Sequence, residues 1–239
     1  LIIWGFFQKI VIADSMAIFV EAVYKNSDMY FGLDIWLITF FFALQIFCDF
    51  SGYTDIARGS AKILGYELRI NFKLPYFAKS FAEFWHRWHI SLSTWFRDYV
   101  YIQLGGSRVK TKMRFIFNIM FVFILSGFWH GAGWTFLIWG GLHGLYYLAE
   151  KYFPFKVLKK KTSINRLLKM IFVFTLVNLA WIFFRSESVS IAVTLVKNSF
   201  QFAETSLSFN RPLLLKNFIL TGILFLVHLI ERKKDLVRF

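Results

Sequence analysis

FIFNIMFVFILSGFWHGAGWTFLIWGGLHGLYYL, residues 115–148, decides the fold. Phe115 to Trp129 is an apolar run of span character. The glycines of WHGAGW, Trp129–Trp134, supply a turn, and Thr135 to Leu148 reads as a span returning. Two apolar helices joined by a tight polar turn make a membrane hairpin, and the rest of the chain extends that reading.

Composition agrees. Of the 239 residues 57% are hydrophobic, 21% are aromatic and 32 are phenylalanine. A soluble domain is about 45–50% apolar. The net charge of +14 would suggest nucleic acid in a soluble protein. Between membrane spans it marks cytoplasmic loops and anionic lipid contact instead, so no nucleic-acid partner is expected. A single cysteine, Cys48, excludes an internal disulfide and a cysteine metal cluster. The first residue is Leu1 and no secretory leader follows it, so the chain reads as a piece of a longer polytopic protein.

Outward from the hairpin, Arg108, Lys110, Lys112 and Arg114 form a basic collar before the first span. Lys151, Lys156, Lys159, Lys160, Lys161, Arg166 and Lys169 crowd the loop after the second. Further spans are expected at Met170–Phe184 and Leu213–Ile230, with a weaker apolar helix near Val189–Phe202. Placing the collar, the lysine loop and the C-terminus on the cytoplasmic side makes the charge pattern consistent, with WHGAGW toward the opposite side. Upstream, Ile35–Phe47 is the core of a span that runs into CDFSGYTDIARGSAKILG, Cys48–Gly65. Small residues there let helices approach closely, and Asp49, Asp55 and Arg58 should face protein or water. Ile2–Tyr24 carries Lys9, Asp14 and Glu21, so it suits an interface or a bundle interior better than lipid. The fold class is all-α: a polytopic transmembrane helical bundle with amphipathic or re-entrant interfacial helices, forming one membrane-embedded domain over residues 1–239.

FAEFWHRWHISLSTWFRDYVYIQLGG, Phe81–Gly106, breaks the apolar pattern. Ser80 and Glu83 read as a capping box. At about 100° per residue, Phe81, Phe84, Trp88, Leu92 and Trp95 share one face, and Lys79, Glu83, His86, Ser93 and Arg97 the other. This predicts one amphipathic helix at the membrane interface, ended by Gly105-Gly106. His86 lies mid-way along the polar face, and His89 at the edge of the apolar stripe, turned inward.

Four histidines attract attention. His130 closes an apolar span, and an ionisable group at membrane depth is costly unless paired or wetted, so it marks a functional position. Imidazole is the side chain suited to proton transfer near neutral pH. The neighbouring Gly127, Gly131 and Gly133 leave room for a substrate or another helix; the rival reading is a helix-terminal histidine bonded for packing. His86 and His89 at i, i+3 lack a third ligand at a motif spacing, so no metal is expected. His143 suits a helix–helix hydrogen bond. There is no phosphate-binding glycine loop, nucleophile elbow or zinc-protease motif.

DFSGYTDIARGSAKILGYEL, NFKLPYFAKSFAEFWHRWHISLSTWFRDYVYIQLGG and SGFWHGAGWTFLIWGGLHG occur in that order. Together they resemble the membrane-bound O-acyltransferase family, in its bacterial branch of alginate O-acetylases and teichoic acid D-alanylation proteins. The match runs from about Trp4 to Gly144, and WGFFQKIVIAD fits as well. The resemblance implies a helical protein with a polar tunnel across the bilayer of a bacterial inner membrane. It implies a cytoplasmic thioester donor, acetyl-CoA or an acyl carrier protein, as co-substrate, and no bound cofactor. The acceptor would be an exported polysaccharide or a relay protein, with an extracytoplasmic acetyltransferase as a further partner. By the same resemblance His130 of the WHG motif is the general base and His89 of RWHISLS the second site histidine. Arg87 and Arg97 are candidates to receive the donor's phosphates, and equally to contact lipid phosphates. His86 stands where relatives carry Arg or Asn and takes no role. The family is longer than this chain, and N-terminal spans are missing.

Two other classes stay open. The charged segment Asp49–Arg58 at membrane depth suits a transporter, and the basic loops suit a non-catalytic scaffold.

Overall fold

A computed structural model describes residues 1–153, 162–206 and 209–237. Lys156 and Lys159–Lys161 of the basic loop lie outside them. The helices are α1 (Ile2–Lys25), α2 (Leu33–Ile63), α3 (Phe81–Arg87), α4 (Ile90–Phe96), α5 (Lys112–His130), α6 (Trp134–Tyr152), α7 (Ser163–Arg185), α8 (Val189–Asn198) and α9 (Arg211–Val237). Among the described residues there is no strand. Five helices among the described residues, α1, α2, α5, α7 and α9 through Ile230, are long and apolar enough to cross a bilayer. The protein is a multi-pass, all-helical membrane protein. The returning segment forms α6 as expected, but it is not among those five, because its Thr135, His143, Glu150, Lys151 and glycines lower its apolar character.

The chain gathers into two compact units, residues 1–70 with 194–239, and residues 71–193. In the first, α1 and α2 pack through small residues. A Cβ on Gly5 would lie 2.6 Å from the Gly52 carbonyl oxygen, and one on Gly52 would lie 2.6 Å from that of Gly5. Such contact brings polar groups of the two helices together. Gln8 is fully buried and donates to Asp55 at 3.2 Å, Arg58 pairs with Asp55 at 3.2 Å, and Lys9 pairs with Asp49. Of the charges that made Ile2–Tyr24 a poor lipid-facing span, Lys9 is thus answered across the pair, and Glu21 faces Lys25 within α1 at 3.8 Å. Gln8 and Lys9 sit in a π-helical stretch, Phe7–Ala13, that widens α1 at this point.

In the second unit α5 and α6 form the expected hairpin. A Cβ on Gly127 would overlap the Phe136 carbonyl, and one on Gly140 that of Phe123. The room at Gly127 is therefore taken by a helix. Thr111 caps α5 and Thr162 caps α7 through the amide three residues on. Asn118, wholly buried, donates to the carbonyls of Leu104 and Gly106 and so pins the Gly105-Gly106 turn to α5.

Candidate active site

The interfacial segment is two helices, not one. Ser80 Oγ accepts from the Glu83 amide at 2.9 Å, so the predicted cap forms, but the Glu83 carboxylate reaches back to the Lys79 amide rather than to Ser80. Glu150 of α6 accepts from the Phe81 amide at 2.8 Å and ties α3 to the hairpin. The helix then stops at Trp88, which is extended, and His89 takes the left-handed conformation with φ 44° and ψ 54°. Residues 71–74 hold this break open. The Lys73 amide donates to the Arg87 carbonyl and the Ile90 amide to the Asn71 carbonyl, each at 3.0 Å. The Asn71 carboxamide oxygen accepts from the Ser91 amide at 3.1 Å and its hydroxyl at 2.6 Å. These bonds replace the helical ones that a continuous Phe81–Arg97 helix would have made.

The break rotates the apolar stripe. Phe81, Phe84 and Trp88 are buried as expected, but beyond His89 it is Phe96 that is buried, and Trp95 is exposed. His86 is exposed, as its place on the polar face predicts.

His130 ends α5, and its ring is fixed by aromatic edges and faces. Trp129 lies at 4.9 Å, Phe184 at 5.2 Å and Trp139 at 5.3 Å between ring centroids, all near perpendicular. The ring is partly exposed. His89 also approaches Trp129, at 6.4 Å between ring centroids. Burial pushes His89 down to about 4, and the neighbouring His130 pushes in the same direction, so His89 is neutral near pH 7. The two histidines, separated by 41 positions in sequence, thus share Trp129, and His130 bears on the charge of His89.

The arginines are engaged locally. Arg87 pairs with Glu83 at 2.6 Å and donates to the carbonyls of Lys73 and Leu74 at 3.4 Å. Arg97 holds Asp98 through two bonds, of 2.7 and 3.1 Å. Arg97 also lines a cavity of about 280 Å³ with Trp85, Tyr101, Phe123, Ser126 and Tyr147. His89 and His130 do not line it, although Ile90 and Ser126, one residue and one turn away, do. Among the described residues no group of three or more His, Cys, Asp or Glu side chains is placed to hold a metal ion.

His143 departs from expectation. It is wholly buried, and neither ring nitrogen has a hydrogen-bond partner in place of the expected helix–helix bond. The reason is its position, four residues after Trp139 on a face packed against aromatic rings. Sequence reasoning also missed Asn71 and Trp139. Asn71 shapes the break from a segment with no helical pattern, and Trp139 is one aromatic among many.

An imidazole at a helix end, partly exposed beside a second neutral imidazole and walled by aromatic rings, can take a proton from a hydroxyl in a poorly solvated site. The model of the membrane-bound O-acyltransferase family matches residues 1–186. The chain is 41% identical over 204 residues to the Azotobacter vinelandii protein named "Probable alginate O-acetylase AlgI", covering 85% of this chain and 40% of that protein. It is 38% identical to the peptidoglycan O-acetyltransferase of Helicobacter pylori, covering 81% of this chain and 36% of that one. It is 30% identical to the teichoic acid D-alanyltransferase of Streptococcus thermophilus, covering 69% and 41%. The chain therefore spans about two fifths of the length of these relatives, and it belongs to the membrane-bound O-acyltransferase family.

Proposed function

We propose that the protein is an O-acyltransferase of the bacterial inner membrane. It moves an acetyl group from a cytoplasmic thioester to a hydroxyl of an exported cell-envelope polysaccharide or of a relay protein. The observation that carries this reading is the meeting of His130 and His89 across Trp129 in a chain of this family. The relatives named as O-acetylases of alginate and peptidoglycan support acetyl and a glycan.

A thioester is already activated, so the protein has three tasks: alignment, proton removal and charge stabilisation. His130 takes the proton of the acceptor hydroxyl as its oxygen attacks the thioester carbonyl carbon. The tetrahedral adduct collapses, the C–S bond breaks, and the thiolate leaves with the proton that His130 returns. The aromatic wall excludes water, which would otherwise compete as acceptor. His89, neutral and uncharged by design of its surroundings, orients a substrate polar group without repelling the imidazolium that forms on His130. Arg97, at the cavity, and Arg87 are the candidates for the donor's phosphates, each exchanging its carboxylate partner, Asp98 or Glu83, for phosphate oxygens.

The test uses the intact protein in membranes with acetyl-CoA labelled in the acetyl group. Label enters envelope polysaccharide in wild type and fails to do so in His130→Ala, while both proteins reach the membrane in equal amounts. Undiminished transfer by His130→Ala overturns the assignment of the base.

A further inference from the structure

His143 is enclosed by Trp85 at 4.9 Å, Trp139 at 5.1 Å, Tyr146 at 5.9 Å and Phe84 at 6.0 Å. The indole N–H groups of Trp85 and Trp139 are buried as well, and neither meets an acceptor. Those two rings lie 5.8 Å apart. Three rings therefore close a small triangle in which every nitrogen lacks a protein partner. Burying a polar group unpaired costs about 1–3 kcal/mol. An apolar side chain at position 143 would avoid that cost, so burial alone does not account for the imidazole. Trp139 meanwhile presents its ring to His130 at 5.3 Å and 90°.

We propose that Trp85, Trp139 and His143 bind one buried water, and that through this water and the Trp139 ring His143 acts as a positioning residue for His130. The positioning role rests on the acyl-transfer reading above; the water site does not. Water is the smallest ligand that reaches all three rings, and it answers three of their four nitrogens. Its lone pairs accept from the two indole N–H groups, and an O–H donates to the unprotonated imidazole nitrogen. About three bonds is the usual number for a buried water. Trp85 also lines the 280 Å³ cavity, which gives the water a way to exchange without opening the bundle. The consequence for catalysis is geometric. His130 is set by ring contacts, so the plane of Trp139 sets the direction of its nitrogens, and a bond at the Trp139 N–H fixes that plane.

The experiment combines kinetics with a density map of the intact protein in lipid nanodiscs. His143→Phe and Trp85→Phe each lower kcat on the order of tenfold to a hundredfold, with KM for the acyl donor unchanged in His143→Phe, because His143 does not line the cavity. The double variant is no worse than the poorer single, because both lose the same water. A map fine enough to show ordered water places one within hydrogen-bond distance of all three nitrogens in wild type, and none in His143→Phe. Wild-type kcat in His143→Phe overturns the positioning role, and a dry triangle in the map overturns the site. Should His143→Phe fail to reach the membrane, Trp85→Phe, which keeps an aromatic ring, carries the kinetic arm. If the wild-type protein transfers no acyl group, the positioning role falls with that reading and the map alone decides the site.

Discussion

At the scale of single residues, His89 is held in a conformation that costs a non-glycine residue about 1–2 kcal/mol. The Asn71 bonds to Ser91 offset that cost. His89→Gly removes the strain and the ring together, so unfolding in detergent is expected at the same or a higher temperature while acyl transfer falls. A parallel fall in both would mean that the ring serves packing. Asn71→Ala loses both bonds, and should cost about 1 kcal/mol and lower transfer by mis-setting His89. Acid gives a second view of His89. In the unfolded chain it takes a proton near its ordinary 6.5, whereas in the folded protein it does so only at about 4. The unfolded state thus binds more protons between these values, and stability falls as pH drops through that window. Melting curves from pH 7 to pH 4 should decline less steeply for His89→Gln than for wild type.

At the scale of elements, the α5–α6 hairpin was legible because both signals that make it are local: two apolar runs, and glycines between and within them. The structure adds what those glycines do. Gly127 and Gly140 each face the carbonyl of the opposite helix, so a methyl at either must push the helices apart. Gly140→Ala should cost about 1–3 kcal/mol, the range for overfilling a packed interior, read as easier unfolding in denaturing detergent. Gly141→Ala, where nothing lies within 4 Å of the added carbon, serves as its control and should be neutral. The break between α3 and α4 was not legible. Helical periodicity runs through Trp88 and His89 without a glycine or proline to interrupt it. The bonds that end the helix come from Asn71 and Lys73, in an extended stretch whose partners only the folded chain reveals.

At the scale of the whole molecule, membrane character followed from composition alone, because an apolar surface of this extent needs lipid. The sidedness of the hairpin is a matter for measurement. Cys48 is buried and is the one cysteine in the chain, so introduced cysteines report without interference. A cysteine at Ser107, beside the basic collar, should react with impermeant maleimide from the cytoplasmic side. One at Ala132, in the turn after His130, should react from the opposite side. Labelling of both from one side would refute the charge-based orientation. Site assignment was only partly legible: His130 stands out as an ionisable group closing an apolar run, whereas the rings that aim it come from three separate helices.

Those rings have an optical consequence. Trp88 and Trp181 lie 5.2 Å apart, Trp139 and Trp181 5.7 Å, and Trp85 and Trp139 5.8 Å. Indoles this close share their excited states, so the near-ultraviolet circular dichroism of the protein should carry a coupled-oscillator signal from these four. Trp95, Trp129 and Trp134 are exposed, and their emission instead reports the polarity of whatever surrounds the protein. One instrument can therefore follow the intact interior and its surroundings as separate colours of the same molecule.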